Sequence, residues 1–439
     1  METDRRRPRI VIVGGGAGGL ELATRLGDRL GRRNKAEVVL IDSQRTHIWK
    51  PLLHQLAAGS YDSHAEEIEY IAQARWHHFQ FRQGRFAGLD RSRREILLAP
   101  LLASDGEEIL PSQRLSYDYL VLAIGSQTND FGTPGANEYA IHLDSPAAAR
   151  EFHERLIDAC LRAQSLPDED GSRRMTVSII GAGATGVELA AELHAAAQVL
   201  VSFGLERLDP DKGFKIVLVE GNERILAALP VRLAAAATRE LHKLDIEIHT
   251  GERVVEVSER GVKLKSGKFI PSNLTVWAAG IKAADFLHEI DGLETNKINQ
   301  LVVEPTLRTT RDPLIFAFGD CAACPNGPDS WAPARAQVAH QQAELLAGNL
   351  VRALENRPLK PFRFQDYGSL VSLGSYSSVG SLMGSLSRGS LFVEGQLAKL
   401  MYWGLHKQHQ MALSGWIRTI LITLSEWLDR VHRPRIKLH

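Results

Sequence analysis

Cysteine is scarce in this sequence: Cys160, Cys321 and Cys324 are the three in 439 residues. Three unevenly placed thiols build no disulfide framework, which points to folding in a reducing compartment. An excess of one charge is missing as well, with 52 Lys and Arg against 52 Asp and Glu. No overall field draws the chain to nucleic acid, and any attraction to a membrane is local. No stretch of about 20 uncharged apolar residues occurs, so no spanning helix is expected. No secretory signal is visible, because the Arg5-Arg6-Arg7-Pro8-Arg9 run passes straight into an apolar strand and a glycine loop. The 16 histidines show no metal-ligand spacing, and no metal site is expected.

What the chain does have is a repeat. VIVGGGAGGLELATRL from Val11 returns as SIIGAGATGVELAAEL from Ser178. Gly14, Gly16 and Gly19 keep G-x-G-x-x-G spacing, as do Gly181, Gly183 and Gly186. The next apolar run ends in an acid both times, VVLID on Asp42 and IVLVE on Glu220, and DYLVLAIGS corresponds to LTVWAAGIK. The offsets, 181 − 14 = 167, 220 − 42 = 178 and 280 − 125 = 155, differ while the order is kept, as in a duplicated unit carrying insertions.

Each copy reads as a strand, a turn and a helix, followed by a second strand. In the first, Ile10 to Val13 is the strand, Leu20 to Leu30 the helix and Val38 to Ile41 the next strand. The first glycine of such a turn permits the bend, the second lets backbone approach a pyrophosphate, and the third lets helix and strand pack closely. Asp42 and Glu220 stand where a carboxylate accepts ribose hydroxyls. Ala123 and Gly125 border the first cleft, Ala279 and Gly280 the second. Glu220 also repels a 2′-phosphate, which favours NADH over NADPH, with Arg224 nearby as the opposing charge. The fold class expected is α/β, with two Rossmann-like dinucleotide-binding domains and a C-terminal membrane-associating helical region. The boundaries read as 1–165 and 291–365 for the first domain in two parts, 172–290 for the inserted second domain, and 366–439 for the tail.

The segment IFAFGDCAA decides which cleft takes which nucleotide, since Gly319-Asp320 after an apolar strand places an aspartate for a ribityl hydroxyl. Here the chain resembles the two-dinucleotide-domain flavoproteins, which implies FAD on Gly14, Gly16, Gly19, Asp42, Gly319 and Asp320, and NADH on the second copy. HIWKPLLHQLAAG, GATGVELAAEL, VWAAGIKAADFL, LVVEPTLRTTRDP, ARAQVAHQQA and RPRIKLH are, more narrowly, similar to the bacterial type II NADH dehydrogenases, single-subunit NADH:quinone oxidoreductases that pump no protons. That resemblance implies FAD, NADH and a membrane quinone, with the cofactors carrying the chemistry. It gives Glu188 a positioning role on the nicotinamide side, places Gln337 and Gln341 at the quinone pocket, and makes Lys50 a flavin contact. Gln337 and Gln341 lie four apart on one helix face, and Pro333 suits that helix's first turn. The absence of cysteine between Asp42 and Tyr61, where related disulfide reductases keep their redox pair, argues against thiol substrates. Cys321 and Cys324 read as buried thiols, with a redox pair or half a metal site as the alternatives. A sulfide:quinone oxidoreductase and an NADH-sensing flavoprotein are the competing functional readings.

In the tail, Trp416, Ile417, Ile420, Leu421, Leu424, Trp427, Leu428 and Val431 recur at three- and four-residue steps. That is an amphipathic helix suited to a lipid bilayer surface, with Arg430, Arg433, Arg435 and Lys437 adding attraction to anionic lipid. Packing on the protein's own core or on a homodimer partner is the other use of such a stripe. The location expected is peripheral, on the cytoplasmic face of the bacterial inner membrane.

Overall fold

A computed structural model describes residues 6–61, 67–103, 105–165, 175–202, 214–328, 330–374, 377–383 and 390–429. The chain packs as two compact units, one of residues 1–49, 67–127 and 281–365, the other of residues 50–66, 128–280 and 366–439.

In the first unit the apolar runs assemble a sheet in the order Arg308–Thr309, Asp312–Ala317, Tyr119–Leu122, Arg9–Val13, Glu37–Asp42, Gln80–Gln83. The neighbours are parallel apart from the first hairpin. Parallel strands covered on both faces need continuous apolar runs, and Ile10, Val11, Ile12, Leu40 and Ile41 are fully buried. The helix Ala17–Leu26 packs on the helix Ala336–Leu354. Leu20, Leu22 and Leu26 from one and Val338, Leu346 and Leu350 from the other are buried, each contributing about 1.5–3 kcal/mol. The first helix does not run regularly to Leu30. After Leu26 it widens into a π-helical turn, Gly27–Gly31. There the backbone meets the neighbouring chain so closely that a Cβ on Gly27 would lie 2.0 Å from the His77 carbonyl oxygen.

The second unit repeats the plan: Ile141–His142, Leu274–Trp277, Met175–Ile180, Phe214–Val219 and Glu247–His249 form a parallel sheet in that order. Each sheet thus puts its glycine-turn strand between the acid-ending strand and the strand of the third sequence correspondence. Each unit also carries a three-stranded antiparallel sheet, Phe86–Asp90, Glu95–Leu98 and Gln113–Ser116 in one, Val254–Ser258, Gly261–Leu264 and Phe269–Pro271 in the other. Residues 50–58 and 146–165 pack in the second unit because the helix Leu53–Ala58 lies on the helices Pro146–Ser165 and Ala184–Ser202.

The tail holds a sheet that the sequence reading does not foresee. Gly368–Leu373, Ser377–Met383 and Ser390–Glu394 pair antiparallel. The first strand packs on the helix Ala184–Ser202, and the last helix, Gln396–Asp429, packs on all three strands. That helix breaks at Gly415, whose φ is +75°.

Candidate functional site

The two glycine turns have the same geometry. Gly14 and Gly181 have φ near +102° and +101°, a left-handed conformation that a side chain resists. Their amides donate to Ile41 and Val219 carbonyls, both at 2.8 Å. At the third glycine, a Cβ on Gly19 would sit 1.8 Å from the Gly14 oxygen, and one on Gly186 would sit 1.9 Å from the Gly181 oxygen. Only hydrogen fits there. At the second glycine the reverse holds, for a Cβ on Gly16 or Gly183 would meet no atom within 4 Å. The middle of each turn is therefore open, at the start of a helix, where backbone N–H groups favour an anion.

The acids at the strand ends are tied to these turns. The Gly15 amide donates to Asp42 Oδ2 at 2.6 Å and the Gln44 amide to Oδ1 at 2.8 Å. Burial holds the Asp42 carboxyl above its ordinary range, with these backbone bonds opposing the rise. In the second copy the Ala182 amide donates to Glu220 Oε2 at 2.8 Å, and the amide and side-chain nitrogen of Asn222 donate to Oε1 at 2.8 and 2.6 Å. Arg224 is spent otherwise: its guanidinium donates to the carbonyls of Leu226, Ala227 and Leu229 at 3.0, 2.7 and 2.8 Å.

The third correspondence closes each cradle. The Ala123 amide donates to the Val13 carbonyl, and that of Ala278 to Ile180, both at 2.8 Å. Gly125 and Gly280 follow with φ of +80° and +63°. A Cβ on Gly125 would meet nothing within 4 Å, whereas one on Gly280 would strike the Phe131 ring at 2.4 Å. Also in the second unit, the Trp277 indole N–H donates to the Asn129 and Ala279 carbonyls.

In the first unit Gly319-Asp320 forms a short turn beside the strand Asp312–Ala317. Ser126 Oγ donates to Asp320 Oδ2 at 2.9 Å, Gln300 Nε2 to the Asp320 carbonyl at 2.9 Å, and the Gly319 amide to Gln342 Oε1 at 2.8 Å. The helix carrying Gln337 and Gln341 starts at Ala336, so Pro333 precedes it rather than occupying its first turn. The two glutamines differ. Gln341 bonds the Gln365 backbone in both directions, at 2.8 and 3.0 Å, while Gln337 Oε1 is buried with no hydrogen-bond partner. Such an orphaned acceptor carries a desolvation cost of about 1–3 kcal/mol until something pairs it.

Glu188 sits in the second unit, 5% exposed. Its Oε1 accepts the Ser372 amide at 3.0 Å, and its Oε2 lies 3.5 Å from His54 Nδ1. Burial pushes its carboxyl up to about 8, and Glu192, one turn along, adds to the rise. Ser60 Oγ donates to that second carboxylate at 3.2 Å. Lys50 is exposed and opens the short 3-10 turn Lys50–Leu52. Cys321 and Cys324 are unbridged and buried, and burial pushes both thiols up to about 11.

Four residues at these sites escape the sequence reading. The His47 ring and the Tyr70 hydroxyl both reach the Gly15 carbonyl, at 2.9 and 2.8 Å, and Gln342 holds the Gly319 amide. His54 stands against Glu188 with its Nε2 unpartnered and buried. The available signal was their place in the motifs that carry the resemblance, since HIWKPLLHQLAAG and ARAQVAHQQA contain three of the four.

The family described as pyridine nucleotide-disulphide oxidoreductase matches residues 8–343. The chain is 42% identical to a type II NADH:quinone oxidoreductase of Haemophilus influenzae, over 98% of this chain and 99% of that one. It is 26% identical to the type II NADH:quinone oxidoreductase Ndh of Mycobacterium tuberculosis, over 95% and 87%. Its fold matches that of NDH2 from Plasmodium falciparum, solved in complex with NADH, with a TM-score of 0.82 at 18% identity over 98% of this chain and all of the other. Two glycine cradles, each closed by an acid, on two parallel sheets define the class, and the chain belongs to the pyridine nucleotide-disulphide oxidoreductases. Within them it belongs to the type II NADH:quinone oxidoreductases.

Proposed function

We propose that this chain is a respiratory enzyme that oxidises NADH and passes two electrons through FAD to a membrane quinone without pumping protons. The observation that carries the reading is the pair of cradles of like geometry, Asp42 closing one and Glu220 the other, in a chain that matches 99% of its relative's length. FAD supplies, when bound, the two-electron acceptor between donor and quinone. Gly14, Gly16, Gly19 and Asp42 hold its adenosine diphosphate end, with Ala123, Gly125, Gly319 and Asp320 along the rest and Lys50 as a further contact. The open space at Gly16 and Gly125 suits a ligand that approaches the backbone closely.

NADH takes the second cradle, on Gly181, Gly183, Gly186, Glu220, Ala279 and Gly280. Glu220 brings a carboxylate to the ribose, and Arg224 directs its guanidinium donors to three backbone carbonyls rather than to a 2′-phosphate. That supports NADH over NADPH. Glu188 positions the nicotinamide side. On the first unit's long helix, Gln337 offers an unpaired carbonyl to the quinone, while Gln341 shapes the pocket by holding the Gln365 backbone.

Among the described residues no helix is long and apolar enough to cross a membrane. After Gly415, Trp416, Ile417, Ile420, Leu421, Leu424 and Leu428 are all more than half exposed, whereas Thr419 is 5% exposed. An apolar stripe turned outward supports a helix lying in the bilayer interface, and with it a peripheral protein on the cytoplasmic face, where NADH is supplied. The Trp427 side chain and residues 430–439, including the basic finish, lie outside what is described. The test is direct: the FAD-loaded protein oxidises NADH at the rate it forms quinol, mole for mole. NADH oxidation that is indifferent to quinone overturns the reading.

A further inference from the structure

One cavity apart from the nucleotide cradles lies wholly in the first unit. Its volume is about 760 Å³, within the range of small-molecule sites. Pro8 and Lys35 line it, and both precede the strands Arg9–Val13 and Glu37–Asp42. It therefore opens at the N-terminal ends of those strands. Gly14 and Asp42 stand at the C-terminal ends, roughly 16 Å away at about 3.3 Å per strand residue. The cavity is a separate place from the cradle.

Its charge is unbalanced. Two carboxylates border it, Glu344 and Glu355, and each already faces a cation, Arg25 at 3.9 Å and Arg357 at 2.7 Å. Arg29, Arg33, Lys35 and Lys360 also line it, and none has an ion pair among the described residues. Both walls are fixed by contacts of the chain itself. On one side Gly27 and Gly31 let the π-helical turn rest against the His77 and His78 carbonyls, and the Lys35 amide is tied to Leu30 at 2.9 Å. Arg29 and Arg33 project from this wall. On the other, fully buried Asn349 grips Lys360 through both its amide and its carbonyl at 2.9 Å, and Arg352 Nε donates to the Pro358 carbonyl at 2.6 Å. Between the walls the surface is apolar at Leu30 and open at Gly348, where a Cβ would meet nothing within 4 Å.

We infer that this cleft binds an anion carrying two or more phosphate groups on a small organic body, with Arg29, Arg33, Lys35 and Lys360 clasping the phosphates from both walls. Several unpaired cations held apart on rigid supports match a multiply charged phosphate ester better than a single carboxylate. The apolar floor takes the organic part. A free nucleoside polyphosphate and a diphosphorylated lipid headgroup share this chemistry.

The probes are inorganic tripolyphosphate and ATP, titrated calorimetrically into FAD-loaded protein with NAD⁺ saturating the dinucleotide site. A second arm measures sedimentation with vesicles of cardiolipin and phosphatidylcholine. Saturable binding of tripolyphosphate is expected, weakened by roughly tenfold or more in Arg33→Gln/Lys360→Gln and by added salt. All the substituted side chains are exposed, and Lys35→Gln is an independent variant if the double one folds poorly. Retained flavin absorbance and NADH oxidation verify the fold in each. ATP binding tighter than tripolyphosphate, with vesicle binding unchanged in the variants, assigns a soluble nucleotide. A parallel loss of vesicle binding assigns a lipid headgroup. Tripolyphosphate that does not bind, or binds the variants as well as the parent, overturns the inference.

Discussion

The Glu188 carboxylate oxygen lies 3.5 Å from His54 Nδ1 with both side chains buried, yet the two are not an ion pair at neutral pH. Burial holds the Glu188 carboxyl up at about 8 and the His54 ring down at about 4. Each is neutral in the folded protein between those values.

A pH dependence of stability follows. Because the folded pKa of Glu188 is raised, its contribution is complete below about 4.5, the unfolded value, and is lost as pH rises through about 8. His54 is depressed, so its contribution is complete above 6.5 and is lost as pH falls through about 4. Above about pH 7 the His54 contribution is complete; His340, whose pKa its bond to Glu21 raises, also titrates there, so the comparison with Glu188→Gln is what isolates Glu188. Denaturant unfolding should show the parent losing roughly 1 kcal/mol more per pH unit than Glu188→Gln between about 7 and 8. Equal slopes in both proteins would contradict the neutral carboxyl.

The glycines of the second cradle should separate binding from folding. Gly186→Ala forces a Cβ to within 1.9 Å of the Gly181 oxygen, and should cost about 2 kcal/mol or more in unfolding free energy. Gly183→Ala meets no protein atom, so its melting temperature should hold while KM for NADH rises severalfold, because the methyl stands where the pyrophosphate passes. If Gly183→Ala destabilises the protein and leaves KM alone, the cradle is misassigned.

Nucleotide choice is expected to rest on Glu220. Glu220→Gln removes the charge and keeps the shape, and should narrow the NADH-to-NADPH ratio of kcat/KM by roughly tenfold, a change of about 1.4 kcal/mol in relative transition-state binding. An unchanged ratio would mean that another group excludes the 2′-phosphate.

Some of this arrangement is legible in the sequence because steric exclusion writes itself as glycine. Gly14 and Gly181 need a left-handed φ, and Gly19 and Gly186 have no room for a methyl group, so one spacing appears twice. Asp42 and Glu220 are legible for a similar reason, each standing where a strand ends beside a turn amide. Gln341 is different: its position on the helix face was readable, but its commitment to the Gln365 backbone depends on where the chain returns 24 residues later. Arg224 likewise looks like a free cation in sequence and is spent on three local carbonyls. The sheet from Gly368 to Glu394 is obscured by serine and glycine, which interrupt the spacing of its buried Val371, Leu373, Val379 and Val393.

Beyond Gly415 the exposed apolar stripe should be what holds the protein on lipid. A chain ending at Gly415 should move to the soluble fraction and lose reduction of long-tailed quinones, while keeping NADH oxidation by a small water-soluble acceptor. The full chain should stay on vesicles in high salt, which screens charge and leaves apolar burial intact. A truncated protein that still sediments with membranes, or one that loses FAD, would place the helix in the core instead.

Anaerobic stopped-flow absorbance tests most directly whether the two cradles pass electrons from NADH through flavin to quinone. NADH mixed with the FAD-loaded protein should bleach the flavin band, and quinone added next should restore it within one turnover time. Gln337→Ala should slow the second phase and spare the first. A flavin band that NADH does not bleach, or that quinone restores far more slowly than turnover, would contradict the account.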